Sequence, residues 1–243
     1  MPTFLASGAS DVGLRRANNE DAFLVNAEIG LFAVADGMGG AAAGEVASAI
    51  FIEAAGELFD ATAPATAEQA SALVQEVFGL ANARMISHVT AQPDHRGMGC
   101  TAELLVCYGE RYLVGHVGDS RTYLLREGEL RQITKDHSLV QQMVDQGQIS
   151  AAEARHHSMK NVVLRALGAD LELSLDLVRG SLFPKDLFLL CSDGLTDMLD
   201  DNAIKKALVF PVSLSEKVGL LIEGAKAAGG RDNVTVVLCQ VER

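Results

Sequence analysis

Short apolar runs bounded by Gly, Asp, Asn and Ser recur along this chain, interrupted by longer stretches with apolar residues at helical spacing. The short runs predict β-strands and the longer stretches predict helices. TFLASGAS (3–10), DAFLVN (21–26) and IGLFAVAD (29–36) read as strands. The Gly-rich GMGGAAAG then leads into Ala-rich segments over 44–60 and 67–91, each with the periodicity of a helix facing a core. ATAPATAEQ separates these two helices. It holds a proline, and Thr66 followed three residues later by Gln69 has the form of a capping box.

A strand-rich block follows: CTAELLVCY (100–108), RYLVGHVG (111–118), RTYLLRE (121–127) and ELRQIT (129–134). The joints GE, GDS and EG are short, which predicts antiparallel hairpins rather than parallel crossovers. Residues from Asp136 to about His157 are polar, helical in pattern and rich in Gln and His, and read as a small mobile insertion beside the sheet. Strands return at LELSLDLV (171–178) and DLFLLCSD (186–193). Two helices, over about 201–209 and 214–227, precede a last strand NVTVVLCQV (233–241), after which no tail or second domain is expected. The expected fold is α+β: a four-layer α-β-β-α sandwich, two antiparallel sheets flanked by helix pairs, in a single domain over 1–243.

Composition narrows the function. At 49% hydrophobic, 243 residues can bury one sizeable core. A net charge of −12 argues against nucleic acid or an anionic membrane as partner, because both need a basic footprint. An acidic protein that handles phosphate must bring positive charge locally, from metal ions or a few arginines; acidity also simply keeps a protein soluble. Cys100, Cys107, Cys191 and Cys239 form no CxxC pair, and three lie in apolar strand-like runs. They read as buried hydrophobes of a reducing compartment. The N-terminal MPTFLASGAS has neither the basic region nor the apolar core of a signal peptide, and no apolar run approaches membrane-spanning length. A cytoplasmic monomer is expected.

Four aspartates carry the candidate chemistry: Asp36 in LFAVADGMGG, Asp119 in YLVGHVGDSR, Asp193 in LFLLCSDGLTD and Asp232 in GGRDNVTVVL. Each stands at a strand end or entry beside Gly, Ser or Asn. A carboxylate there is rigidly placed yet faces solvent. Several of them, brought together, make a cage of hard oxygen ligands suited to Mg²⁺ or Mn²⁺. Taken singly each has a plainer reading. Asp36-Gly37, Asp119-Ser120 and Asp193-Gly194 are turn signals, and Asp232 follows glycines that would cap a helix. Gly37, Gly39 and Ala42 also fit a dinucleotide fingerprint, but Asp36 would then repel the pyrophosphate. LRRANNED (14–21) sets arginines beside carboxylates ahead of a strand, where an arginine could fork onto phosphate oxygens or merely form a surface ion pair. GxSxG, P-loop and HExxH motifs are absent, and none of the six histidines is assigned a role.

RRANNEDAF, FAVADGMGG, GHVGDSRTYLL, TKDHSLVQQMV, VLRALG, LLCSDGLTDML and GGRDNVTVVL occur in the order and rough spacing of one family. Across essentially its whole length the chain resembles the PP2C-type (PPM) metal-dependent serine/threonine protein phosphatases, of the compact bacterial kind. The resemblance implies a two-metal centre holding Mn²⁺ or Mg²⁺ at one end of the sandwich. Asp36 would bridge both ions, with the Gly37 carbonyl serving one and Asp193 and Asp232 the other. Asp119 would support a third, weaker ion. Arg16 would bind phosphate, and Glu20 would act through water. Residues 138–160 would form a flap that influences substrate choice.

The implied reaction is hydrolysis of phosphoserine and phosphothreonine in proteins, opposing a serine/threonine kinase, by an activated water. Human-type members carry a histidine where Met38 stands, thought to protonate the leaving group; many bacterial relatives share the methionine, and the general acid stays unassigned. Ala41 replaces a frequent histidine, and Gly99-Cys100-Thr101 stands where the family has GTT. The alternative is an inactive phosphatase-like binding module. Intact Asp36, Asp193 and Asp232 speak against it.

Overall fold

The computed structural model describes residues 2–39, 43–61, 64–169 and 173–242. Two antiparallel sheets face each other. One has the order β1 (Phe4–Asp11), β11 (Val234–Val241), β10 (Leu187–Cys191), β7 (Arg121–Arg126), β8 (Glu129–Gln132). The other runs β2 (Asp21–Asn26), β3 (Leu31–Met38), β5 (Ala102–Tyr108), β6 (Arg111–Val117), β9 (Asp176–Ser181), with the two-residue β4 (Gly99–Cys100) paired to β3. Helices α1 (Gly44–Ala61) and α2 (Ala67–Ala91) cover the outer face of the second sheet, and α6 (Asp201–Val209) and α7 (Leu214–Ala227) that of the first. This is the expected α-β-β-α order.

Period-two alternation explains why the central strands are apolar throughout. On β3, Leu31, Ala33 and Ala35 face the helices while Phe32 and Val34 face the opposite sheet. On β10, Leu187, Leu189 and Cys191 face helices, and Phe188 and Leu190 point inward. Each strand is therefore buried on both faces. Tyr112 and Phe188 meet edge-to-face at 5.0 Å across the inter-sheet layer. All four cysteines are buried and free. Among the described residues no helix is long and apolar enough to cross a membrane.

The capping box appears as expected: Thr66 accepts from the Gln69 backbone N–H, and the Gln69 side chain reaches back to the Thr66 N–H. Three expectations need correction. The joint GDS is not a hairpin, because β6 and β7 lie in different sheets. Gly118–Asp119–Ser120 carries the chain across the sandwich, turning at Gly118 with φ of 111°. CTAELLVCY is two strands broken at Thr101, whose N–H donates to the Asp36 carbonyl at 2.9 Å. LELSLDLV becomes a strand only from Asp176; its Leu171 and Glu172 lie outside the described residues, while Leu173 and Leu175 pack beside the α1/α2 core as irregular chain. The insertion holds two short helices, α3 (Leu139–Asp145) and α4 (Ala151–Ala154), started by Ser138 and Ser150.

Phe188 is fully buried between the sheets. Truncating it leaves a cavity the twisted sheets cannot close, so Phe188→Ala should lower the unfolding free energy by about 3–5 kcal/mol. Urea denaturation measures this, with Phe188→Leu expected to lose less.

Candidate active site

The loop 12–20 links β1 of one sheet to β2 of the other, and it is tied down by a residue far away in sequence. The Asn233 amide donates to the carbonyls of Val12 (3.0 Å) and Asn18 (2.9 Å) and accepts from the Glu20 N–H (2.8 Å). An amide alone offers donors and an acceptor in one plane, which is what this crossing needs. Leu14 N–H donates to the Gly230 carbonyl at 2.7 Å, and Ser48 and Gly37 both bond the Glu20 carbonyl. Space is tight enough that a Cβ on Gly37 would strike the Gly44 carbonyl, and one on Gly44 would strike the Glu20 carboxylate.

The cleft so formed has a volume of about 450 Å³ and is lined by Arg16, Glu20, Asp36, Gly37, Asp119, Asp193 and Asp232. All seven residues singled out from sequence thus meet in one place. Met38, Gly39, Thr101, Asn161, Val163 and Asn233 complete the lining, with no histidine among the described lining residues. A second polar cavity, of about 220 Å³, adjoins it under α3 and α4 and shares Asp119, Asn161 and Asp193. The plainer readings hold only in part: Asp36-Gly37 is not a turn but lies within β3. Asp193 opens a one-turn helix, α5 (Asp193–Thr196), and Gly229 and Gly230 end α7 by bonding back to Lys226 and Ala225. Asp193 thus both opens a helix and lines the cleft.

Two residues were missed from sequence. Asp21 pairs with Asp36 in the β2–β3 register. One of its oxygens accepts from Ser192 (2.7 Å) and Thr235 (2.6 Å), and the other is buried without a hydrogen-bond partner. Asn233 is the other. Only long-range pairing makes either legible; RDN and NED carry no local sign of it.

The electrostatics are those of crowded anions. Burial, then the charges of Asp21, Asp193, Asp119 and Asp232, hold the Asp36 carboxyl well above the usual carboxylate range. Asp193 is raised likewise, by burial and then by Asp119, Asp197, Asp232 and Asp21. Burial pushes Asp119 up to about 6 against the pull of Arg121, and Asp21 up to about 6 against its two hydroxyl donors. Glu20 is raised by burial and Glu45, with Arg16 opposing. Arg16 donates to Asp232 at 2.6 Å and is the lining's one cation among the described residues.

This donor set fits hard divalent cations. It offers carboxylate oxygens and a backbone carbonyl, and one Asp193 oxygen is buried with no partner among the protein groups. Divalent cations held among these carboxylates would offset their mutual repulsion. Among the described residues no three His, Cys, Asp or Glu side chains already close on a single point. The fit therefore rests on the chemistry and crowding of the donors.

A family model for protein phosphatase 2C matches residues 14–220. The serine/threonine protein phosphatase PstP of Mycobacterium tuberculosis is 43% identical over 233 residues, which are 96% of this chain and 44% of that protein. The serine/threonine phosphatase stp of Listeria monocytogenes is 36% identical over 235 residues, 95% of this chain and 93% of the relative. The chain belongs to the protein phosphatase 2C family. It spans less than half the length of the mycobacterial relative. Among solved structures, M. tuberculosis PstP/Ppp superposes with a TM-score of 0.91 at 42% identity, covering 99% of this chain and 100% of that one. A PstP catalytic domain in complex with two manganese ions superposes at 0.90 and 41% identity, covering 100% of both chains.

For this protein phosphatase 2C member, Thr101 is the joint between carboxylates. Its hydroxyl accepts from the Asp36 N–H (3.2 Å) and shares a 2.6 Å hydrogen bond with Ser120, the neighbour of Asp119. Its side chain also packs on Gly118. The Ala41 and Ala42 positions weighed from sequence lie outside the described residues. On the far side of the Asp119 loop, His137 accepts from the Gly118 N–H at its Nδ1 (3.1 Å). That leaves Nε2–H facing Asp176 at 3.2 Å. His116, also unassigned from sequence, is buried against the Glu103 carboxylate, with Nε2 donating to the Lys135 carbonyl at 2.8 Å.

Thr101→Val keeps the shape but strands two buried polar groups, and should lower the unfolding free energy by about 1–3 kcal/mol, while Thr101→Ser should restore most of it. Urea titration of both variants checks this. Burial and then the neighbouring His116 push the His137 imidazole down to about 4 from 6.5. Between those values the unfolded chain holds a proton at His137 that the folded chain does not. Its contribution to stability is therefore complete above pH 6.5 and lost as pH falls toward 4. Melting temperature against pH should fall less steeply across that window in His137→Gln, whose amide oxygen can still accept from Gly118.

Proposed function

We propose that the chain is a metal-dependent protein phosphatase that hydrolyses phosphoserine and phosphothreonine in proteins, opposing a serine/threonine kinase. The observation that carries this is the convergence of Asp36, Asp119, Asp193 and Asp232 with Arg16 in one cleft. Relatives named serine/threonine phosphatases, and the neighbour holding two manganese ions, support it.

Asp36, the Gly37 carbonyl, Asp193 and Asp232 would hold two Mn²⁺ or Mg²⁺ ions, and Asp119 a third and weaker one. Such ions acidify water to make a nucleophile and draw charge from a phosphoryl group. The remaining work falls to the protein. Arg16, with a planar fork of donors, exchanges its Asp232 partner for phosphate oxygens and holds the phosphoryl group in line with the attacking water. Glu20, raised by burial, takes hydrogen bonds from water at the same edge. The β2–β3 register and the bond from the Asp36 N–H to Thr101 fix the backbone that carries the Asp36 carboxylate, so it starts the reaction already in place. No Cys or Ser side chain lines the cleft among the described residues, in keeping with direct attack by water rather than a phosphoenzyme.

Residues 138–160 act as a flap over one side of the cleft. Arg155 donates to the carbonyls of Thr196 (3.1 Å) and Leu199 (3.2 Å), and Lys160 pairs with Asp197. The protein works as a cytoplasmic monomer, with neither nucleic acid nor membrane as partner.

Hydrolysis of a phosphothreonine peptide should require Mn²⁺, stop in excess EDTA, and fall at least 100-fold in Asp36→Asn, roughly the loss expected when a charge-stabilising group is removed. Phosphate release that survives EDTA or the substitution would place the chemistry elsewhere. No release with metal binding confirmed by calorimetry would mark a binding module instead.

A further inference from the structure

A carboxyl buried between two packed sheets costs stability unless its oxygens are bonded. One stands there in this protein, with two polar companions. On β5, Ala102, Leu104 and Val106 face α1 and α2 while Leu105 and Cys107 face the opposite sheet, so period two turns Glu103 into the inter-sheet layer. The same alternation brings in His116 from β6, beyond Tyr112 and Val114, and Thr122 from β7, beside Leu124. All three are fully buried.

Glu103 joins the other two. One carboxyl oxygen meets Nδ1 of His116, its partner in the β5–β6 register, and the other accepts from the Thr122 hydroxyl. His116 belongs to one sheet and Thr122 to the other. They stand three residues before and three residues after Asp119. A single carboxyl thus grips both arms of the crossing that carries Asp119 to the cleft. The other bonds of the crossing keep the alternation: Gly118 N–H donates to His137 Nδ1 at 3.1 Å, and Ser120 shares a 2.6 Å bond with Thr101. Residues 116, 118, 120 and 122 are bonded to the interior, and Asp119 between them lines the cleft.

Stability alone does not account for a carboxyl in this place. Replacing buried polar pairs by packed apolar side chains is often neutral or stabilising. Apolar packing is non-directional, however, whereas bonds of set length and direction fix the distance between the two arms. A metal ligand depends on such support from behind.

We propose that Glu103 is a positioning residue for Asp119: by holding His116 and Thr122 together it sets the span of the crossing, and with it the affinity of this end of the cleft for the weakest-bound divalent ion. This rests on the reading of Asp119 as a ligand of that ion and deepens it by naming what holds the ligand in place.

The test is stepwise Mn²⁺ binding to the whole chain, followed by calorimetry and by the paramagnetic resonance of free Mn²⁺, with Asp119→Asn marking the weakest step. Glu103→Ala should weaken that step about tenfold, the low end of the loss seen when a group supporting a metal ligand is removed, and leave the tighter steps unchanged. Thr122→Val, which keeps the shape and cuts one arm, should weaken it several-fold and serves if Glu103→Ala folds poorly. Glu103→Gln, whose amide can still bridge the two partners, should stay close to wild type. In the Asp119→Asn background none of these substitutions should have a further effect. Phe188→Leu, which loosens the same layer without removing a bond of the clamp, should lower stability in urea and leave the weakest step alone. A weakest step unchanged in both Glu103→Ala and Thr122→Val, or a loss of equal size in the Asp119→Asn background, would overturn the proposal. Asp119→Asn binding Mn²⁺ like wild type would remove Asp119 as a ligand and the proposal with it, while the phosphatase reading, tested through EDTA and Asp36→Asn, would stand.

Discussion

Mutual repulsion among carboxylates is the constraint around which this molecule is arranged. Burial, which takes away screening water, holds Asp36, Asp193, Asp119 and Asp21 above the ordinary carboxylate range, and neighbouring carboxylates push Asp36 and Asp193 further in the same direction. Charges placed so close are kept only where the backbone gives them no way to move apart. The fold supplies that restraint from several directions. Asp36 is fixed by pairing of β3 with β2 and by Thr101, Asp193 by the turn from β10 into α5, and Asp119 by a crossing between sheets held at Gly118 and Ser120. Two thick apolar layers and the inter-sheet layer provide the stability that this arrangement spends.

How much of this could be read in the sequence followed from the range of the interactions involved. Strands buried on both faces announce themselves as continuous apolar runs, so the layers and their order were legible. Thr66 with Gln69 is a contact within one helical turn, and it too was visible. Asp36, Asp119, Asp193 and Asp232 were legible because a carboxylate beside a small residue at the end of an apolar run is a local pattern. Their union in one cleft rested on resemblance until the structure placed them together.

What escaped depends on residues distant in the chain. Asp21 is unremarkable in NED and matters only because the register sets it opposite Asp36. Asn233 bonds partners more than two hundred positions away. The GDS joint is as short as the hairpin turns beside it, and nothing local says that β7 leaves for the other sheet. That departure is what takes Asp119 to the end of the sandwich where the other carboxylates stand. The LELSLDLV segment fails for a related reason. Its alternation suits a strand, but Leu173 and Leu175 are used against the helices instead of a sheet neighbour.

The same repulsion bears on how an acidic protein admits an anion. With a net charge of −12 and a single lining arginine already paired to Asp232, the cleft as it stands repels a phosphate dianion. In the proposed mechanism, Asp36, Asp193 and Asp232 would hold divalent ions that offset this negative charge, and Arg16, now paired to Asp232, would then be free to turn its fork of donors toward a phosphoryl group. On the proposed reading, metal binding, substrate entry and the placing of the arginine are one electrostatic event. Arg16→Lys would then be a poor substitute even though the charge is kept, because an ammonium offers no planar fork to exchange between a carboxylate and a phosphate.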